Sequence, residues 1–181
     1  MHTRWTGCGT ALVTPFTAQG DLDESNITKL ARRQVDNGVH FLVPCGTTGE
    51  SPSLSHEEKF RVTELVVQAA NGQVPVLAGA GSYDTQTAVQ LVADMAKTGV
   101  DGILSVTPFY NKPTQEGLYV HFETIAKSTD LPIVLYNVPS RTGCNIQPTT
   151  LTRLAEIPNI VGIKEASGNL LQMCEICRLI P

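Results

Sequence analysis

Six short apolar runs punctuate the chain: Thr10 to Pro15, Phe41 to Pro44, Val74 to Ala78, Gly102 to Val106, Pro132 to Leu135 and Ile160 to Ile163. They recur at a spacing of about 30 residues, each flanked by turn residues. Runs this short and this continuously apolar suit parallel strands buried on both faces, although periodicity alone leaves buried helix segments open. Between them lie segments with helical spacing, Asp23 to Asn37, Ser55 to Ala70, Asp84 to Thr98 and Thr114 to Ser128. Each begins on a residue able to cap a helix. Ser55-His56-Glu57-Glu58 has the form of a capping box, and Asp36-Asn37-Gly38 supplies a carboxy-terminal stop.

A strand, a helix and a return repeated six times predicts consecutive βαβ units and a parallel sheet. Two architectures compete. A doubly wound open sheet fits the length, whereas a closed (β/α)8 barrel typically takes about 250 residues and would here lack two units. The unusual polar residues help to decide. Thr47 and Thr48 follow the second run, Tyr110 the fourth and Tyr136 the fifth, and Lys164 closes the sixth. An open sheet gathers its ligand groups around one switch point, while a barrel spreads them over many strand ends. The spread over four ends therefore favours a barrel of about six of its eight βα units, a single incomplete domain over residues 1–181.

Of the 181 residues, 41% are hydrophobic and 17% charged, the composition of a globular protein with one core. Thirteen basic and 17 acidic residues give a formal charge of −4 without long runs of either sign, so neither nucleic acid nor an anionic membrane is expected as a partner. No stretch approaches the roughly 18 apolar residues of a spanning helix, and no basic-then-apolar leader opens the chain. A cytoplasmic protein is the expectation. The five cysteines, at positions 8, 45, 144, 174 and 177, are expected to be reduced thiols. Cys174 and Cys177 form a lone CxxC without a second Cys or His pair, which reads as two neighbouring helix positions rather than a metal site.

Three segments carry chemistry. In Val161 to Gly168 a lysine ends an apolar strand, where partial removal from water would favour the neutral amine that attacks a ketone. From spacing alone the plainer reading is a Lys164 that pairs with Glu165 or with a neighbouring loop. Gly46-Thr47-Thr48-Gly49-Glu50-Ser51 can present N–H groups and hydroxyls to a carboxylate, or can be a glycine turn before a helix. It is not a P-loop, since no GKS or GKT ends it. Tyr136 to Gly143 joins a phenol able to relay protons to Arg141, whose planar fork suits a carboxylate. The plain alternative is a buried tyrosine and a surface arginine.

Together with Thr107-Pro108-Phe109-Tyr110-Asn111-Lys112-Pro113, these segments in this order and separation resemble the dihydrodipicolinate synthase branch of the pyruvate-dependent aldolase superfamily. The resemblance covers essentially every residue present. It implies a condensation of pyruvate with L-aspartate-4-semialdehyde toward diaminopimelate and lysine, without metal or organic cofactor, in a homodimer or homotetramer. By the same resemblance Lys164 forms the imine, Tyr136 carries protons beside it, and Thr47 relays between tyrosines. Tyr110 is the phenol lent by a neighbouring subunit. Gly46 and Thr48 match the segment that holds the pyruvate carboxylate, and Arg141 the residue that receives the semialdehyde's carboxylate. Sialic-acid-lyase-like members lack an arginine in this loop, so Arg141 favours the synthase over an aldolase with another aldehyde partner. His56 matches the family's allosteric pattern, but Lys59, Tyr83, Thr87 and Phe109 depart from that of lysine-sensitive members. Weak or absent inhibition by lysine is therefore expected.

The family's chain continues for about two more βα units and a helical region, where this one stops at Pro181. The first and sixth strands would then be open edges. Two function classes follow: an active lyase that keeps its proposed side chains, and a catalytically silent assembly or binding module.

Overall fold

The computed structural model describes residues 5–180. They form β1 (Gly9–Ala11), α1 (Glu24–Asp36), β2 (Phe41–Val43), α2 (His56–Ala70), β3 (Leu77–Gly79), α3 (Thr85–Ala96) and β4 (Gly102–Val106). There follow α4 (Gln115–Lys127), β5 (Ile133–Asn137), α5 (Pro139–Thr142), α6 (Pro148–Leu154), β6 (Ile160–Glu165) and α7 (Leu170–Leu179). The chain falls into two compact units. One comprises Met1–Ala80 with Asp94–Ile103, the other Gly81–Ala93 with Leu104–Pro181.

In the first unit β1 and β2 are parallel, Gly9 opposite Phe41 and Ala11 opposite Val43. Val76, just before β3, bridges Leu42 in parallel, and Gly79 N–H donates to the Pro44 carbonyl at 2.9 Å. The helices start where the side chains dictate. Asp23 accepts from Asn26 N–H at 3.0 Å to cap α1, and Ser55 with Glu58 closes both halves of the expected capping box on α2. Asn71, left-handed at φ 48°, ends α2. Buried Ile27 and Ala31 of α1 face the apolar side of α2, whose Val62, Leu65 and Val66 are also buried. Arg61 of α2 donates through Nε and Nη2 to both oxygens of Glu24, at 2.8 and 2.7 Å.

In the second unit β5 lies between β4 and β6, with Thr107 N–H donating to the Tyr136 carbonyl at 3.0 Å. All of β5 is buried, as is β4 except Val106. β6 differs. Among the described residues β5 is its one strand neighbour, and its Gly162 and Lys164 are exposed. The expectation of burial on both faces thus holds for β4 and β5 and fails for β6, as it does for β1, none of whose residues is buried. α6 packs against α4 and α7, and Arg153 of α6 donates to Glu116 of α4 at 2.7 and 3.2 Å while lying 4.0 Å above the Tyr119 ring. The short α5 and α6, both opening on proline, are absent from the periodicity reading.

Candidate active site

Lys164 and Tyr136 stand side by side. Parallel pairing of β5 with β6 sets Tyr136 opposite Lys164, and the lysine Nζ lies 4.3 Å from the centre of the phenol ring. Tyr136 is buried, within the strand rather than after it, whereas Lys164 is exposed. The expectation that Lys164 is held partly away from water is therefore not met. The described residues bury the Tyr136 ring beside it but leave the lysine open to solvent. The ion pair with Glu165 is not formed either. Successive strand residues point to opposite faces, and the Glu165 carboxylate accepts instead from Ser167 N–H, Asn137 and Gln172.

Arg141 is exposed on the one-turn helix α5, its N–H donating to the Val138 carbonyl at 2.9 Å. Gly143 ends that turn at φ 74°, and an added Cβ there would meet Lys112 Cε at 2.9 Å. The turn is tied to the loop after β4, since the Cys144 thiol donates to the Pro108 carbonyl at 3.0 Å. Tyr110, in that loop, is 90% exposed and left-handed at φ 72°. A bulky residue at such a backbone angle costs on the order of 1 kcal/mol and persists where its surroundings fix it. Here Asn111 donates through Nδ2 to the Tyr83 carbonyl at 2.9 Å, and Tyr83 meets Phe109 edge to face at 5.6 Å.

Gly46, Thr47 and Thr48 belong to the first unit, and the four residues above to the second. The segment after β2 is a tight glycine turn. Cys45 and Glu50 bracket it in left-handed conformations, φ 54° and 55°. Gly49 N–H donates to Gly46, Glu50 N–H to Thr47, and the buried Thr14 hydroxyl to the Gly49 carbonyl at 2.7 Å. The N–H groups of Gly49, Glu50 and Ser51 are used by the turn, and the exposed side chains of Thr47 and Thr48 are turned outward.

All five cysteines are free thiols, Cys174 and Cys177 lying exposed on α7. Among the described residues no group of three or more His, Cys, Asp or Glu could hold a metal ion, and no helix is long and apolar enough to cross a membrane. Asn137, Asn145, Glu165 and Gln172, which form a closed polar network behind the Lys164–Tyr136 pair, escaped the sequence reading. The signal available was their adjacency: Asn137 follows Tyr136, and Glu165 follows Lys164.

A profile of the Dihydrodipicolinate synthetase family matches residues 4–181. The chain is 52% identical over 176 residues to the 4-hydroxy-tetrahydrodipicolinate synthase of Koribacter versatilis, covering 97% of this chain and 59% of that protein. It superposes on dihydrodipicolinate synthase from Aquifex aeolicus with a TM-score of 0.95 at 44% identity, covering 98% of this chain and 60% of the other. The chloride-inhibited dihydrodipicolinate synthase of Acinetobacter baumannii, complexed with pyruvate, gives 0.93 at 44%, with 96% and 60% covered. This chain thus spans about 60% of the length of the relatives it matches. The fold is that of the (β/α)8 barrel family, six βα units of it being present here. The chain belongs to the dihydrodipicolinate synthetase family.

Proposed function

We propose that the chain carries the imine-forming chemistry of a 4-hydroxy-tetrahydrodipicolinate synthase, condensing pyruvate with L-aspartate-4-semialdehyde through Lys164. The observation that carries this reading is the Lys164 amine 4.3 Å from the centre of the Tyr136 ring, on adjacent strands of a chain half identical to named synthases. An amine attacking the pyruvate ketone forms a carbinolamine, and loss of water to the imine needs a proton delivered to the departing oxygen. Tyr136 is the proton carrier in this proposal. Thr47 relays between Tyr136 and Tyr110, the latter lent to a second copy of the chain in a homodimer or homotetramer. The exposed setting of Tyr110 on a strained backbone suits a side chain meant for a partner. Gly46 and Thr48 hold the pyruvate carboxylate, and Arg141 receives the carboxylate of the aldehyde substrate. That role for Arg141 disfavours an aldolase acting on an uncharged aldehyde.

A second reading is a catalytically silent module for assembly or binding. It is favoured by the exposed setting of Lys164. One experiment separates the two: incubation of the folded chain with pyruvate, reduction with borohydride, and location of added mass by peptide mass spectrometry. An adduct on Lys164 is expected. Folded protein without an adduct would establish the silent module instead.

A further inference from the structure

Alternation along β5 and β6 sends consecutive residues to opposite faces. Tyr136 and Lys164 pair on one face, so Asn137 and Glu165, the next residues and the next pair in register, share the other. There four side chains close a network. Asn137 Nδ2 donates to Glu165 Oε2 and to Asn145 Oδ1, both at 2.8 Å. Gln172, from α7, donates through Nε2 to the same two oxygens at 3.2 and 3.1 Å, and its Oε1 accepts from Asn145 Nδ2 at 2.8 Å. Backbone groups take what remains: Ile146 N–H donates to Asn137 Oδ1 at 3.0 Å and Ser167 N–H to Glu165 Oε1 at 2.7 Å. Every polar side-chain atom of the four residues is partnered.

The charge at the centre gives the network its direction. An ionised carboxylate only accepts, so both amides must turn their NH2 groups toward Glu165, and their oxygens are thereby fixed as well. Burial alone would raise the Glu165 carboxyl, but hydrogen bonds from Ser167, Asn137 and Gln172 outweigh it and lower the group below its ordinary range. No lysine or arginine takes part. Apolar side chains here would spare the desolvation of a carboxylate, but apolar contacts tolerate sliding, whereas a carboxylate meeting a fixed amide defines one offset of β6 along β5. That offset needs local definition, because the β5–β6 register is irregular between Ile133 and Val134, upstream of the reacting pair. Through Asn145 and Ile146 the network also holds the segment returning from the Arg141 turn.

We infer that the Asn137–Glu165 pair, closed by Asn145 and Gln172, is the positioning device that holds Lys164 against Tyr136 from the opposite face of the sheet. The inference rests on the imine-forming reading of Lys164. Neither Glu165 nor Asn137 touches the reactants; they act through the strand offset.

The test is the rate of borohydride-trapped adduct on Lys164 against pyruvate concentration, for the wild-type chain, Glu165→Gln, and the exchanged pair Glu165→Gln with Asn137→Asp. Glu165→Gln keeps the volume but sets an NH2 against the donors of Asn137, Gln172 or Ser167. Its maximal trapping rate is expected to fall about ten-fold or more, because misplacement rather than lost binding is the fault. The half-saturating pyruvate concentration should stay within about two-fold. The exchanged pair restores one donor facing one acceptor and is expected to recover the rate to within about three-fold of wild type. A Glu165→Gln rate equal to wild type, or a fall that the exchange does not recover, overturns the positioning role while leaving the lyase reading intact. A wild-type chain without adduct overturns the lyase reading, and this inference with it. Should Glu165→Gln not fold, Gln172→Met removes a single donor from the carboxylate; a fall in maximal rate of about three-fold is then expected, and an unchanged rate refutes the proposal.

Discussion

Gly79→Ala adds one methyl group where the first unit has no space for it. An ideal Cβ at this position would stand 2.1 Å from the Cys45 carbonyl oxygen, 2.6 Å from its carbon and 3.0 Å from Gly46 N. Ordinary contact begins at 3.4 Å, so the two backbones must part by 3.4 − 2.1 = 1.3 Å. All three neighbours are backbone atoms, and no side-chain rotation relieves the clash. Cys45 is already left-handed at φ 54°, so its carbonyl has little freedom to turn away. Separation also breaks the 2.9 Å bond from Gly79 N–H to the Pro44 carbonyl. Overpacking of this kind costs about 1–3 kcal/mol and a lost backbone hydrogen bond about 1, so a destabilisation of about 2–4 kcal/mol is expected.

Gly162→Ala is the matched control. It is the same chemical change in a strand, but an added Cβ there meets no atom within 4 Å. It should move stability by no more than about 0.5 kcal/mol. Urea unfolding of both variants, with slopes checked for equality, measures the difference. A loss under about 1 kcal/mol for Gly79→Ala, or equal losses for the two, would refute the reasoning that close backbone approach rather than strand propensity requires this glycine.

Three further outcomes are expected. Ser55→Ala removes one half of the α2 capping box and should cost about 1 kcal/mol in thermal unfolding, an unchanged midpoint showing that the cap is idle. Thiol labelling of the native chain at pH 8 should modify the exposed Cys8, Cys174 and Cys177 and spare Cys144 and Cys45, both buried, the latter pushed up to about 11 by burial; rapid reaction of all five would contradict this packing. Burial holds the His121 imidazole down at about 4, against the opposing pull of Asp84. The unfolded chain takes up a proton between roughly pH 6.5 and 4 that the folded chain refuses, so stability should fall with pH across that window, by up to about 3 kcal/mol. His121→Gln should flatten that decline, and identical pH profiles for variant and wild type would refute it.

The elements most legible in the sequence are those whose signals are local. The apolar run Gly102 to Val106 coincides with β4, and the capping box starts α2 where Ser55 places it. Elsewhere, pairing partners moved the boundaries. The run from Thr10 suggests a strand to Pro15, but β1 ends at Ala11, with one more ladder bond from Leu12 N–H to Val43, because its partner β2 turns away at Pro44 and left-handed Cys45. Val74 to Ala78 shifts to Leu77–Gly79, since Pro75 has no N–H to give a ladder. Pro139 and Pro148 look like loop formers in isolation, yet each opens a short helix, where the missing N–H is no loss.

The site follows the same division. Residue type and strand position are enough to single out Tyr136 and Lys164, and register then sets them opposite one another. What the sequence conceals is which neighbour each residue answers to. Adjacency makes a Lys164–Glu165 ion pair look available, yet the two-residue period of a strand forbids it, and the carboxylate finds its donors from Ser167, two residues on, from Gln172 on the next helix, and from Asn137, 28 residues back. The same period explains why chemistry and support can sit at consecutive positions without interfering. Tyr136 and Lys164 meet on one face while Asn137 and Glu165 meet on the other, so a change to the supporting pair reaches the reacting pair only as a displacement of strand against strand. A defect in Glu165 should therefore slow imine formation without weakening the hold on pyruvate, whereas a defect at Thr48, proposed to hold the pyruvate carboxylate, should do the reverse.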